Sequence, residues 1–384
     1  MDDGIIGIIL TISLILVLSP HISRFVGLPT APIEIVLGSF LAFLGFIDIT
    51  NNIFFLIAHV GFLYLMFLAG LEVNIKSIIS MPKVYIVQAV YFLITMWLLA
   101  VLFGFIFNLN PVLIMILPLI SIGLLATLSG EYGKELSWIK ISFLVGTIGE
   151  VLSIIALTIF EASSNAKGLH ELFSQIALLS LFLVSIWLLY LLFRSLFWWY
   201  PELKTTLMPH GKISNNKYQS VRLAMGIFFI MISVMLKLHL EVAFGAFIAG
   251  VFIATFFHQH KELEAKISSF GFGFLVPIFF VYVGASFDLK NIFILEVLKT
   301  TSLLLLGMFF IRIVASFTLS FITEKKDALL IAFALSMPLT LMIAVATLAY
   351  EHATIVKFDY YAVILASLLE VIISMLVIKK LVKV

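Results

Sequence analysis

Leu117-Pro118-Leu119-Ile120-Ser121-Ile122-Gly123-Leu124-Leu125-Ala126-Thr127 breaks an apolar run with a proline, a hydroxyl and a glycine. Ala334-Leu335-Ser336-Met337-Pro338-Leu339-Thr340-Leu341-Met342-Ile343 does the same far later in the chain. Proline removes an intrahelical hydrogen bond, and small hydroxylated neighbours either replace it or bind an ion. The next apolar run in each case carries a mid-depth glutamate. Glu150 follows Ser121 by 29 residues, and Glu370 follows Pro338 by 32. Interrupted spans at matching places in two halves point to a transporter built from inverted repeats, with its site at the breaks.

Composition sets the solvent in which those runs sit. Apolar residues make up 63% of the 384 positions and charged residues 11%, against roughly 45–50% and about 25% in a soluble domain. So little charge cannot clothe a hydrated surface, so lipid is the solvent for much of the chain. A formal net charge of +2 gives no electrostatic case for nucleic acid. Cysteine is absent, which removes disulfides and thiolate metal sites. The histidines show no ligand spacing, so no transition metal and no cofactor are expected. Walker, nucleophile-elbow and HExxH patterns are missing too, which leaves primary pumping and hydrolysis without support.

Apolar stretches fall near 4–19, 31–47, 53–70, 84–107, 111–128, 138–160, 171–199, 218–236, 240–257, 268–287, 294–322, 327–349 and 359–380. Most reach the roughly 17–25 residues that a helix needs to cross the hydrocarbon. None shows the alternation of a barrel strand. The expected fold is therefore an all-α polytopic bundle of about thirteen transmembrane helices, read as one transporter domain over 1–384. Its halves are about 1–200 and 218–384, joined by a cytoplasmic linker near 200–217, with no soluble regulatory domain expected. The run Ile5–Leu18 follows Asp2 and Asp3 rather than a basic start, and reads as a first span, not a cleaved signal. With thirteen spans, 17 Lys/Arg residues fall on one side of the membrane. Five fall on the other (Lys167, Lys237, Lys290, Lys299 and Lys357), and Arg312 is left inside a span. The positive-inside rule then puts the N-terminus outside and the C-terminus in the cytoplasm.

Charge at bilayer depth costs about 2.5–3.5 kcal/mol on insertion scales, so it marks function or a buried pair. Glu150, Arg312 and Glu370 lie at mid-span. Glu150 reads as a carrier carboxylate, Arg312 as a supporting charge, and Glu370 as a packing partner or a possible second carboxylate. Glu34, Glu72, Lys237 and Glu241 fall near span ends, where snorkelling to water is expected.

Four stretches carry a family resemblance. They are Ile22-Ser23-Arg24-Phe25-Val26-Gly27-Leu28-Pro29 with Gly38; His59-Val60-Gly61 through Phe67-Leu68-Ala69-Gly70-Leu71-Glu72; Phe244-Gly245-Ala246-Phe247-Ile248-Ala249-Gly250; and Pro277-Ile278-Phe279-Phe280 through Gly284 to Asp288. In order along nearly the whole chain, they resemble the monovalent cation:proton antiporters of the Kef type and their bacterial sodium/proton relatives. The resemblance implies an unwound pair of crossing helices beside a carboxylate site, and a homodimer in the cell membrane. It places Ser121 and Gly123 in one unwound stretch and Pro338 to Thr340 in the other. Glu150 takes the second position of the family's Asp-Asp, Asn-Asp or Gln-Asp pair, and Arg312 stands where lysine or arginine is usual. Gly149-Glu150 departs from that pair twice, since Asp becomes Glu and the polar residue before it is lost.

Exchange at a single carboxylate follows from these residues. Desolvation disfavours the charged form and a nearby guanidinium favours it, so protonation and cation binding become alternatives at the same oxygens. Hydroxyls of Ser121, Thr147, Ser153 or Thr340, with freed carbonyls, complete an oxygen shell for a hard monovalent cation, Na+, K+ or Li+. Guanidinium does not release its proton, so one proton per cation, hence electroneutral exchange, is expected. A proton-regulated potassium pathway, a transport-deficient relative and an organic-anion symporter are the competing readings.

Overall fold

The computed structural model describes residues 3–47, 49, 51–72, 81–133, 135–165, 218–238, 242–257, 261–287 and 294–383, with scattered positions between 177 and 202. Its elements, among the described residues, are helical. In the first half they are α1 (Asp3–Val26), α2 (Thr30–Phe43), α3 (Asn52–Glu72), α4 (Lys83–Phe107), α5 (Pro111–Ile116), α6 (Gly123–Tyr132) and α7 (Ser137–Asn165). The second half has α8 (Gln219–Leu238), α9 (Val242–Phe257), α10 (Lys261–Phe270), α11 (Val276–Ser286), α12 (Leu295–Ser316), α13 (Lys325–Ala334), α14 (Leu339–Glu351) and α15 (Lys357–Lys383).

Eight of the described helices are long and apolar enough to cross a membrane, and the bent pair α13–α14 makes a ninth. α2 and α9 are shorter apolar helices. The expected seventh span, 171–199, and the linker near 200–217 lie largely outside the described residues. The expected span 268–287 begins earlier, because α10 runs into α11 through a π-turn at Gly271–Leu275. Pro277 carries no N–H, so the backbone widens ahead of it rather than breaking.

The helices sort into two groups that pack mainly within themselves. One holds α1, α2, α3, α8, α9, α10 and α11; the other holds α4 to α7 and α12 to α15. Closely packed helices need small residues in lipid, where apolar burial does not drive association. A Cβ on Gly284 would collide with the Ile35 carbonyl, and one on Gly38 would stand 2.5 Å from that of Val281. These two glycines let α2 and α11 touch along their backbones. Gly70 and Gly250 do the same for α3 and α9.

Both breaks fall in the second group. Residues 117–122 separate α5 from α6, and residues 335–338 separate α13 from α14, whose axes differ by 41°. Proline sits in each break, at 118 and 338, and the free N-termini of α6 and α14 start at Gly123 and Leu339.

Candidate ion-binding site

Glu150 lies on α7, midway along a helix that packs against α4 and α13. It is 2% exposed. The Ser121 hydroxyl, in the first break, donates to Glu150 Oε1 at 3.2 Å, and the N–H of Ile122 also points at the carboxylate. Ser121 Oγ lies 3.1 Å from Thr340 Oγ1 in the first turn of α14. A hydroxyl has one proton to give. If Ser121 gives its proton to Glu150, Thr340 donates to Ser121, and both breaks join in one line of hydroxyls ending on the carboxylate. Glu150 Oε2 is buried with no hydrogen-bond partner among the described residues. A buried oxygen of this kind calls for a proton or a cation.

The first break is pinned from two further directions. Ser153 accepts from the Ile120 N–H at 3.0 Å and donates to the Gly149 carbonyl at 2.8 Å, so its hydroxyl is committed to backbone rather than to Glu150. Arg312 on α12 donates to the Leu119 carbonyl at 2.6 Å and to Met308 at 3.1 Å. Its charge faces Glu370 of α15 at 3.3 Å, with both side chains fully buried. The second break is held in parallel, since the Ser374 hydroxyl, one turn past Glu370, donates to the Ser336 carbonyl at 2.9 Å.

The arrangement thus brings Glu150, Ser121 and Thr340 together and sets Arg312 and Glu370 behind them as a pair. Gly123 opens α6 and Pro338 caps α14. Thr147 donates to its own helix at the Phe143 carbonyl, 2.7 Å away. Gly149 is where α7 meets the unwound chain, because a Cβ there would stand 2.6 Å from Ile120 Cδ1 and 3.1 Å from Leu93 Cδ2. The space for a polar side chain before the carboxylate is filled by isoleucine.

Two carboxylates escaped the sequence reading. Glu34, expected to reach water, is 3% exposed and accepts from Ser19 at 3.1 Å. The reason is that α2 is covered on both sides by α1 and α11. Glu72 ends α3 with a buried Oε2 that lacks a hydrogen-bond partner, within electrostatic reach of Glu150 and Glu264. The signal for Glu72 was its place after Gly70, which draws α3 into the bundle.

Residues 9–384 match the family model described as sodium/hydrogen exchanger, transmembrane. The chain is 26% identical over 382 residues to the protein described as putative Na(+)/H(+) antiporter YjbQ of Bacillus subtilis (strain 168). That match covers 93% of this chain and 59% of the relative, so the chain spans about three fifths of the length of that protein. The fold matches the sodium proton antiporter MjNhaP1 of Methanocaldococcus jannaschii, solved at pH 8, with a TM-score of 0.65, 18% identity and 99% of each chain covered.

Proposed function

Because the chain belongs to the sodium/hydrogen exchanger transmembrane family, we propose that it is a secondary transporter exchanging a monovalent cation, Na+ or K+, for a proton. Glu150 is the shared carrier. The observation that carries this reading is a buried carboxylate with one oxygen held by Ser121 and the other without a partner. Proton and cation are alternative ways to neutralise that group, and a group neutralised by either crosses an apolar barrier at far lower cost than the bare anion.

Pairing within the bundle supports electroneutrality. Arg312 is matched by Glu370, so Glu150 is the carboxylate between the two breaks left to be balanced by cargo. One proton in and one cation out, or the reverse, leaves the same net charge on the membrane region. Ser121 and Thr340 supply hydroxyl oxygens, and the carbonyl ends of α5 and α13 add dipoles suited to a hard cation. The proposal takes 1–384 as a single transporter domain with its N-terminus outside, its C-terminus and the 200–217 linker in the cytoplasm, working as a homodimer in the cell membrane. The loop distribution of Lys and Arg supports that orientation.

The test uses vesicles carrying an imposed pH gradient, with Na+, K+ or Li+ added separately while internal pH is followed. Collapse of the gradient by a specific cation, abolished in Glu150→Gln, is the expected result. Lack of response to every cation from correctly inserted protein would overturn the exchange reading. A voltage-sensitive current during turnover would overturn electroneutrality and turn attention to Glu370.

A further inference from the structure

Ser286 is the last residue of α11, in one helix group, and Tyr360 lies at the start of α15, in the other. Their hydroxyl oxygens stand 2.8 Å apart. Ser286 gives its proton to the Val283 carbonyl at 2.7 Å, and a hydroxyl has one proton to give. Tyr360 is therefore the donor, and its bond crosses from one group to the other. Beside it, the ring of Phe287 meets that of Tyr361 edge to face, with centroids 5.0 Å apart. Phe287, Tyr360 and Tyr361 are all buried.

Each half of this contact is tied into its own group. Ser39 of α2 donates to the Phe287 carbonyl at 2.9 Å, next to the close crossing of α2 and α11. On the other side, the Tyr350 ring of α14 stacks on Tyr360 with centroids 5.0 Å apart. Thr301 of α12 donates to the Ala362 carbonyl of α15 at 3.3 Å. The contact thus joins two packed bodies rather than two loose ends. Its helices also lead inward, since α14 starts at the second break and α15 carries Glu370.

We propose that the pairs Tyr360–Ser286 and Tyr361–Phe287 form a latch that fixes the two helix groups in this arrangement and releases in each exchange cycle. The proposal rests on the reading of the chain as an exchanger with Glu150 as the carrier. A carrier that serves both sides of a membrane cannot stay open to both, so one group has to move against the other. The latch sits where α11 ends and α15 begins, which is the outer end in the orientation proposed above. Its hydrogen bond joins neutral groups in a low-dielectric setting, which strengthens it. It is still weak enough to break often, because a neutral hydrogen bond shifts an equilibrium roughly fivefold. The edge-to-face ring pair adds a second contact of similar size.

The chain has no cysteine, so spin labels can be placed on paired cysteines without background. Ile53→Cys on α3 with Val356→Cys before α15 spans the two groups, and both positions are exposed. Phe105→Cys, exposed on α4, with Val356→Cys reads one group alone. Distances are measured by pulsed electron resonance in lipid, with excess unlabelled protein so that pairs within one chain dominate. Tyr360→Phe keeps the stacked ring and removes the donor. It should raise the population with an altered distance between groups roughly fivefold, and leave the pair within one group unchanged. Ser286→Ala should act alike, and the double variant should add little, because both changes remove one bond. In vesicles, Tyr360→Phe should exchange faster than the parent, since less holds the groups together. Unchanged distances between groups, an equal shift within one group, additive single effects or turnover no faster than the parent would each overturn the latch. The distances are read again in Glu150→Gln protein, where they do not depend on transport. Exchange that survives Glu150→Gln would count against the carrier alone, with the latch still decided by the distances.

Discussion

Arg312 and Glu370 face each other at 3.3 Å with neither side chain reaching solvent. The contact is a charge pairing rather than a well-aligned hydrogen bond, because both Glu370 oxygens lack a hydrogen-bond partner among the described residues. Two guanidinium nitrogens donate to the Leu119 and Met308 carbonyls instead, and Nε has no hydrogen-bond partner among the described residues. The guanidinium therefore holds the first break in place and requires Glu370 to balance its charge.

Glu370→Gln removes that balance and leaves a buried cation. Breaking one side of a buried pair costs about 3–5 kcal/mol, whereas replacing both partners by apolar residues is often neutral. Thermal unfolding of purified protein should show a large loss for Glu370→Gln. Arg312→Met combined with Glu370→Leu should recover most of the stability but not exchange, because the Leu119 carbonyl is left without its donor. A double variant no more stable than Glu370→Gln would contradict the pairing.

Ser121→Ala removes the one side-chain donor on Glu150 among the described residues. A hydrogen bond to a charged group contributes about 1.5–3 kcal/mol, so the apparent affinity for the transported cation should fall about tenfold or more. Thr340→Val should cost less, and the two changes combined should cost less than their separate effects added, since they act along one line of hydroxyls. The cation dependence of gradient collapse reads all three, and strict additivity would argue against the chain of contacts.

Competition at one carboxylate, as proposed for Glu150, fixes the sign of the pH dependence that the proposal requires. While protons hold the site, each unit rise in pH should lower the apparent KM for the cation by about tenfold, and the effect should end once the group is deprotonated. Cation titrations at a series of symmetric pH values measure it. A KM indifferent to pH would mean that proton and cation do not share Glu150.

Gly149→Asn restores a polar residue before the carboxylate but drives a Cβ to 2.6 Å from Ile120. Overpacking of this kind costs about 1–3 kcal/mol, and the yield of folded protein should drop. Gly149→Asn with Ile120→Ala should recover, as judged by size-exclusion of detergent-solubilised protein. Failure to recover would show that something other than Ile120 excludes the side chain.

Gly284→Ala should be among the most damaging single-methyl changes in the chain. The new Cβ meets the Ile35 backbone, which cannot move aside as a flexible side chain would. Loss of folded protein is expected, in contrast with Gly226→Ala on α8, where no atom lies within 4 Å. Equal behaviour of the two would mean that α2 and α11 separate freely.

The helical bundle, its family and the two breaks were legible in the sequence because lipid forces the issue. A chain with 63% apolar residues has to satisfy its backbone within helices, and Pro118 and Pro338 announce where that satisfaction fails. Glu150, Arg312 and Glu370 were visible for the same reason, as charges at unfavourable depth. Their partners were not visible, because a partner depends on which helix faces which. Only the tertiary structure decided that Arg312 turns to Glu370 and Leu119, that Ser153 and Thr147 spend their hydroxyls on backbone, and that Glu34 and Glu72 are drawn inside at glycine-tight crossings. Sequence fixes the cost of each buried group along the chain; packing across helices chooses what offsets it.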